Sequence, residues 1–500
     1  MIHWVVHAFL FISLLLYLIH KYISRNFDYW EKRNIPFLKP KPFVGNFLEV
    51  IIRKCDIGHH FASLYNLSNE PYFGMFIISK PILVVRDPEI LKHILVKDFD
   101  VFIDRNLLTP KHEPATSHML FSEKGEEWRT MRSRVSPFFT SNKLRTMFTH
   151  IDNIALSMQD YISKNCHQKS LEAKEVCCKY STDVIAKCAF AINSNSFINE
   201  NGEFRNISRK IFDFRYITSI RMLSYFFIHS IAKVFRMKLF DPTIITFLRS
   251  VFWESIRIRE ENHKEGNDLL DIIVELRANE EFRRTMNFEG DKVIAQAFIF
   301  FVAGFETTAS TISFTLYELC LNSKIQKKLK ENIRETLRKH DNKLTYNAVA
   351  EMDYLDSVVK ETLRKYPALP FLDRVCNDNY KIPGTETILE KGVLVVVPMV
   401  GLHHDPAFYS EPEKYIPERF EEPRRDLSFL PFGKGPRACI GERLGILATK
   451  LAIIRILCEF QLEKNEDTPV PLVFEPRSLL LASTIGLPMK FKRSESLFSN

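Results

Sequence analysis

The chain has 500 residues, 46% of them hydrophobic, and a formal net charge of +8. This length supports a large buried core, and the positive charge suits an acidic partner or an anionic membrane surface. The sequence has no dense Lys/Arg run and no zinc-finger or RNA-binding motif, which argues against nucleic acid. Its nine cysteines include no CxxC pair, which argues against a disulfide framework or a structural zinc site and favours reduced thiols in a cytosolic environment.

The N-terminal segment predicts a transmembrane anchor at residues 1–20. Residues 2–19 are almost wholly apolar, and as a helix they would span about 27 Å, close to the thickness of a thin bilayer. A cleaved signal peptide is the alternative, but no small-residue cleavage pattern follows. Basic residues, beginning with Lys21 and Arg25, occur only after the segment. By the positive-inside rule, the rest of the chain therefore faces the cytosol.

The remainder predicts a linker followed by one domain. Residues 21–46 include three prolines between positions 36 and 42, which favour stiff, extended backbone. No further linker or repeat divides residues 47–500. Strand-like runs occur at 75–78, 82–85 and 393–397, and helical patterns dominate between them, as at 176–190, 321–340 and 355–365. The pattern predicts a mainly α fold with small β-sheets.

One internal stretch, residues 293–305, is apolar all round but too short to span a bilayer. It continues through a polar segment toward Cys320, which predicts one long central helix. There Glu306 and Thr307 place an acid beside an alcohol, an expensive pair to bury without a purpose. Such a pair could relay protons. The alternative is a polar stripe that faces other helices.

The strongest local signal is a glycine-rich loop, residues 432–441, which contains Cys439 and leads into an amphipathic helical pattern. A helix N-terminus stabilises a thiolate, and a thiolate placed this way suits an axial haem ligand. The same loop loosely matches a dinucleotide-binding fingerprint. Only about 60 residues remain after it, too few for a doubly wound nucleotide domain, so we reject that interpretation.

These motifs together resemble those of the cytochrome P450 family, and the resemblance covers essentially the whole chain. It is strongest to microsomal, xenobiotic-metabolising enzymes of insects. The resemblance implies haem b with Cys439 as the ligand of its iron. It implies that Glu306 and Thr307 are the catalytic acid–alcohol pair that relays protons to bound dioxygen, with Gly304 leaving room for the oxygen. It also implies that the haem propionates contact Trp128, Arg132, Arg374 and Arg437, with Arg105 as a weaker candidate.

Two further motifs take their meaning from the same resemblance. Glu361 and Arg364 share one helical face and would form a buried, structural charge network with Arg419 behind the haem. Trp128 and Arg132 are four residues apart and share a helical face, and arginine suits a carboxylate such as a propionate. Without the cysteine loop, each of these arginines would be interpreted as an ordinary surface charge.

The predicted function is insertion of one oxygen atom from O2 into a lipophilic substrate, such as a xenobiotic, an insecticide or a steroid-like hormone. The chain has no flavin or nicotinamide site of its own, so electrons would come from NADPH through the membrane-bound NADPH–cytochrome P450 reductase. Cytochrome b5 is a further candidate partner, and the predicted location is the endoplasmic reticulum membrane. Two alternatives remain, a reductase-independent haem-thiolate isomerase or dehydratase and a non-catalytic haem- or lipid-binding membrane protein.

The resemblance also places the substrate-contacting regions, and these are mostly apolar, which favours a lipophilic substrate. They are residues 102–121, 212–240, 368–371 and 480–485, with Phe298, Phe301 and Phe305 on the central helix. Core packing is the alternative for any single phenylalanine among them. For reductase docking, the basic residues near the cysteine loop are Lys434, Arg424 and Arg425.

Overall fold

The computed structural model of the chain describes residues 2–262, 268–422, 424 and 426–497. Its helices begin with α1 (Ile2–Ser24), α2 (Leu48–Ile51), α3 (Ile57–Tyr65), α4 (Pro88–Lys92), α5 (Pro114–Ser117), α6 (Gly125–Val135), α7 (Ser141–Asn165), α8 (Ala173–Phe190), α9 (Glu203–Ile211) and α10 (Tyr216–Phe226). They continue with α11 (His229–Val234), α12 (Pro242–Asn262), α13 (Leu269–Ala278), α14 (Glu280–Met286), α15 (Asp291–Leu321), α16 (Ser323–Lys339), α17 (Tyr346–Ala350), α18 (Asp353–Lys365), α19 (Met399–His403) and α20 (Glu442–Glu459).

The strands form small sheets from segments that are far apart in the chain. They are β1 (Tyr72–Ile77), β2 (Lys80–Val85), β3 (Leu171–Glu172), β4 (Phe371–Val375), β5 (Tyr380–Lys381), β6 (Ile388–Leu389), β7 (Leu394–Pro398), β8 (Phe460–Glu463) and β9 (Pro488–Arg493). The largest sheet has the order β1-β2-β7-β4, in which β2 and β7 are parallel and the other pairs antiparallel. The predicted mainly α fold with small sheets is confirmed.

The long central helix predicted from the apolar stretch is α15. Because it is apolar on every side, it is buried along most of its length, and it packs most extensively against α8. The two helices approach each other closely at Gly304, where an added Cβ would lie 2.7 Å from Cδ1 of Ile185. Ile185 therefore fills the space beside Gly304. This glycine permits close helix packing, and the predicted room for oxygen does not lie on that side of the helix.

The helix α1 has the properties of the predicted anchor, since none of its residues is buried and its composition suits a membrane span. By length and composition α15 passes the same test, but it is mostly buried inside the protein. The chain after α1 joins the large sheet directly. Trp30 is fully buried and its Nε1 donates to the Met75 carbonyl at 3.1 Å, and Phe37 forms a bridge with Gly74. The three-part division at residues 20 and 46 stays a prediction.

Candidate active site

The cysteine loop crosses the protein interior just before α20. The backbone N–H of Cys439 donates to the carbonyl of Phe432 at 2.8 Å. Gly433 and Gly435 have φ angles of +72° and +75°, and a Cβ at Gly435 would lie 1.8 Å from the carbonyl oxygen of Leu95. Only glycine tolerates both this conformation and this contact. The glycines thus let the loop pass close to neighbouring backbone and fix the place of the cysteine.

The thiol of Cys439 has an environment unlike that of the other cysteines. All nine cysteines lie within the described residues, and only Cys439 is exposed. Protein nevertheless surrounds it, and burial, together with the charge of Glu442, raises the pKa of the thiol. The backbone N–H of Gly441 and the charges of Arg132 and Arg105 offset this rise only in part. The thiol therefore faces an interior space bordered by cations, and a bound metal ion would complete the stabilisation of its thiolate form.

A cluster of buried arginines lies on one side of this thiol. Arg437 stacks over Trp128, with its guanidinium carbon 4.0 Å from the ring centroid. It donates to three backbone carbonyls, those of residues 103, 120 and 123. Arg437 thus anchors the loop between residues 103 and 123. Its donors are more fully used than the resemblance alone would indicate.

Two neighbouring arginines have donors without partners. Among the described residues, Nε of Arg374 and Nη1 of Arg105 are buried without a hydrogen-bond partner. Arg374 donates only to the carbonyl of Asp373, at 2.7 Å, and Arg105 lies 3.5 Å from the carboxylate of the same residue. Unsatisfied buried donors are uncommon in proteins. They mark a place where an acceptor-bearing ligand would be stabilised.

The pKa shifts in this cluster indicate the sign of the charge that such a ligand would carry. Burial lowers the pKa of Arg374 to about 9, and the charge of Arg105 lowers it further. Burial lowers the pKa of Arg437 to about 8, with Arg105 and Arg374 acting in the same direction. Because guanidinium groups stay protonated in proteins, these shifts express an excess of buried positive charge. An anionic ligand would relieve it.

The predicted acid and alcohol on α15 point in different directions. Thr307 Oγ1 donates to the carbonyl of Ala303 at 2.7 Å, on a part of the helix that is exposed to the interior space. The carboxylate of Glu306 instead faces α8, where it pairs with Lys174 at 2.8 Å. Burial alone would lower the pKa of Lys174, but Glu306 and Cys178 more than offset this, and the pKa is raised. Sequence reasoning missed Lys174, because nothing in its local pattern distinguishes it.

A second charged network lies behind the cysteine loop. Arg364 binds both carboxylate oxygens of Glu361, at 2.7 and 2.9 Å, and both side chains are fully buried. Arg419 lies 3.4 Å from the same carboxylate, which also accepts the backbone N–H of Ile416 at 2.8 Å. The three residues that the resemblance grouped are therefore brought together, with bidentate geometry at the central pair.

His403 connects this network to the loop. Arg364 donates to the carbonyl of His403 at 2.9 Å, and Nε2 of His403 accepts the backbone N–H of Leu430 at 3.0 Å. Leu430 in turn accepts the N–H of Gly433 within the cysteine loop. Burial lowers the pKa of His403 to about 3, so the ring is neutral and can accept this bond. In the sequence His403 stands beside a second histidine, His404, and nothing in that pair indicates this role.

An aromatic cluster joins three of the predicted substrate regions. Phe121 contacts Phe226, and both Phe226 and Phe227 contact Phe371, with ring centroids 5.2–6.3 Å apart. Phe298, Phe301 and Phe305 of α15 instead pack against the segment 204–240, for example Phe298 on Phe240 at 5.0 Å. Contact of any of these rings with substrate stays a prediction.

Comparison with known proteins agrees with this geometry. The family model described as Cytochrome P450 matches residues 35–489. Cytochrome P450 6k1 of Blattella germanica is 39% identical over 98% of this chain and 98% of its own length. Probable cytochrome P450 6a14 of Drosophila melanogaster is 36% identical, with 93% and 96% covered, and Cytochrome P450 9e2 of B. germanica is 34% identical, with 93% of each covered. The chain belongs to the cytochrome P450 family of haem monooxygenases, which confirms the predicted family and enzyme class.

Proposed function

We propose that this protein is a membrane-anchored monooxygenase that inserts one oxygen atom from O2 into a lipophilic substrate. Haem b is its cofactor, and Cys439 is the ligand of the haem iron. Electrons come from NADPH through the membrane-bound NADPH–cytochrome P450 reductase. The protein lies in the endoplasmic reticulum membrane with its catalytic domain in the cytosol. The observation that carries the proposal is the Cys439 thiol, which is the one exposed cysteine and yet lies inside the protein, beside Arg132 and Arg105.

The arginine cluster supports haem as the cofactor. A haem carries two propionates, and Nε of Arg374 and Nη1 of Arg105 are buried donors without partners. Carboxylates would satisfy these donors and the excess positive charge together. We assign Arg132, Arg374 and Arg437 to propionate binding, with Trp128 holding Arg437 in place, and we add Arg105 with equal weight because of its unpartnered donor.

Bound to a thiolate, haem iron activates dioxygen for cleavage of the O–O bond, and the chain must supply protons to that reaction. We assign this task to Glu306 and Thr307. Lys174 holds the carboxylate of Glu306 on the α8 side, and the Thr307 hydroxyl lies on the interior side. Because the two groups point apart, a proton passes between them through water or through a rotation of the Glu306 side chain.

The aromatic cluster around Phe371 supports a lipophilic substrate. Phe121, Phe226 and Phe371 come from three separate segments and converge. Apolar rings of this kind bind substrate by desolvation and place few demands on its hydrogen bonding. Xenobiotics, insecticides and steroid-like hormones all have this chemistry.

For the reductase, Lys434 and Arg425 remain in the proposed basic docking surface, and Arg424 leaves it. Lys434 is exposed beside the cysteine loop. Arg424 donates to Ser428 Oγ at 3.0 Å and stacks on Tyr409, so its charge is used within the domain. Arg425 lies outside the described residues. Cytochrome b5 remains a second candidate for the same surface.

A carbon monoxide difference spectrum of the reduced protein tests the iron ligand. We expect the thiolate-shifted Soret band in the wild type and its complete loss in Cys439→Ala. Cys55→Ala removes a partly exposed cysteine and should keep the band. Retention of the band in Cys439→Ala would refute the assignment of Cys439.

Turnover separates monooxygenation from the alternatives. With NADPH and reductase, Thr307→Val should lower product formed per NADPH by about a hundredfold, the usual effect of removing a proton donor. Thr308→Val is the matched control, because Thr308 approaches Gly445 of α20 and is not part of the proposed pair. Turnover with hydroperoxide alone, and none with NADPH and reductase, would instead indicate an isomerase or dehydratase.

A further inference from the structure

A cavity opens on the surface between the segment 107–112 and α11, and all of its lining residues except Lys124 lie in the regions 102–121 and 212–240 that the resemblance assigned to substrate contact. Its volume is about 640 Å³. The cations that line it are Lys111, Lys124, Lys233 and Arg236, together with His112 and His229, and its lining contains no carboxylate. All four cations are exposed. A cavity with several positive charges and no negative one suits an anion.

Neighbouring side chains do not neutralise the four cations of the cavity. Within the described part of the chain, none of the four cations takes part in an ion pair or a side-chain hydrogen bond. The buried Nε2 of His229 also lacks a hydrogen-bond partner there. A fifth cation, Lys80, adjoins the group. Burial lowers its pKa to about 8 against the attraction of Asp373, and Lys124 and Lys233 lower it further. The repulsion among these groups would be relieved by a bound anion.

The cavity lies at the membrane end of the protein. Two of its cations, Lys233 and Arg236, flank Val234 and Phe235, which are 74% and 73% exposed. Apolar side chains of this exposure between cations are typical of a segment that enters a lipid interface. A hydrogen bond close to the anchor helix α1 also places the cavity at the membrane end. Just after α1, Asn26 donates to the carbonyl of Ser79 at 3.1 Å, and Ser79 adjoins Lys80.

We propose that this cavity binds the headgroup phosphate of an acidic phospholipid, such as phosphatidylserine, while Val234 and Phe235 enter the surrounding lipid. A lipid is favoured over a soluble phosphate because the apolar residues adjoin the cations in sequence and the anchor joins the domain close by. Each cation at an anionic surface contributes about 1 kcal/mol. This proposal depends on membrane association and not on the haem chemistry proposed above.

Hydrogen exchange of the full-length protein in nanodiscs tests it. We expect residues 107–112 and 229–238 to exchange more slowly in phosphatidylcholine discs containing phosphatidylserine than in pure phosphatidylcholine. In Lys233→Glu, the phosphatidylserine fraction needed for half-maximal protection should rise about tenfold, as expected for losing one attraction and gaining one repulsion. The haem spectrum of the variant shows whether it is folded. We expect that spectrum to be the same in the variant and the wild type, whatever the lipid composition.

Lys238→Glu is the matched control, since Lys238 is an exposed lysine of the same segment that does not line the cavity. It should shift the half-maximal fraction much less than Lys233→Glu. Equal shifts would show general surface attraction, and no effect of phosphatidylserine on the wild type would show no site; either result overturns the proposal. Protection by inorganic phosphate in pure phosphatidylcholine discs would also overturn it, in favour of a soluble anion.

Discussion

Two arginines ten positions apart, Arg364 and Arg374, are equally hidden from solvent but have opposite surroundings. Arg364 binds both oxygens of Glu361 and two backbone carbonyls. Arg374 has one carbonyl, an unpartnered Nε and a second arginine beside it. A satisfied buried charge stabilises structure, whereas an unsatisfied one is costly unless something binds it. The contrast distinguishes a structural network, which contains Arg364, from a candidate ligand-binding cluster, which contains Arg374.

The largest effect should follow from breaking the satisfied network. Arg364→Met leaves the buried Glu361 carboxylate without its main partner, and loss of one partner of a buried pair costs about 3–5 kcal/mol. We expect a protein that does not retain haem, with a strongly lowered Tm. Arg257→Met removes an arginine that binds two carboxylates but is more than half exposed, and it should cost less than about 1 kcal/mol.

Arg374→Met should give the opposite pattern. Removal of an unpaired buried cation should leave the stability of the haem-free chain unchanged or increase it. Haem should dissociate about tenfold faster, which corresponds to the loss of one charge-assisted hydrogen bond. Transfer of haem to an acceptor apoprotein measures the rate, and denaturant unfolding measures the stability. If Arg374→Met destabilised the haem-free chain as severely as Arg364→Met, the proposed difference between the two arginines would be refuted.

The third prediction concerns pH and the connection through His403. Burial holds the pKa of His403 at about 3 in the native state, while in the unfolded chain it returns to about 6.5. The unfolded state therefore binds the proton first, and the stability from neutral His403 is present above about pH 6.5 and is lost as pH falls toward 3. Between pH 7.5 and pH 5 the loss amounts to about 2 kcal/mol.

His403→Gln keeps one donor and one acceptor but does not titrate, so its stability should fall less steeply over that range. Unfolding followed at several pH values measures the difference in slope. His167→Gln, at an exposed position, should retain the slope of the wild type. An identical slope in His403→Gln would show that this histidine does not contribute to acid sensitivity.

The fold was predictable because its main signals are local. The apolar run of α15 and the strand patterns of β1, β2 and β7 all appear where hydrophobic periodicity placed them. Strand pairing was not predictable in this way. The parallel pairing of Ile82 with Leu394 joins residues that no local pattern relates.

The candidate site was predictable only where a motif is continuous in sequence. The loop around Cys439 and the pair Glu361–Arg364 are of this kind. Lys174 acts on Glu306 from a different helix, and His403 acts through a ring nitrogen whose partner is a distant backbone N–H. Whether an arginine has a hydrogen-bond donor without a partner depends on the residues that folding brings next to it. The sequence therefore could not show that Arg105 is as strong a candidate for propionate binding as Arg374.

The junction after α1 determines how the enzyme can meet other membrane proteins. Only a few residues separate Ser24, at the end of that helix, from Trp30, which is fixed within the large sheet. With α1 in a bilayer, as proposed, so short a connection would suppress tumbling of the domain and keep one flank turned toward the lipid. Encounters with the proposed reductase would then be confined to two dimensions, and the reductase would have to present its electron-donating face at the same height above the lipid.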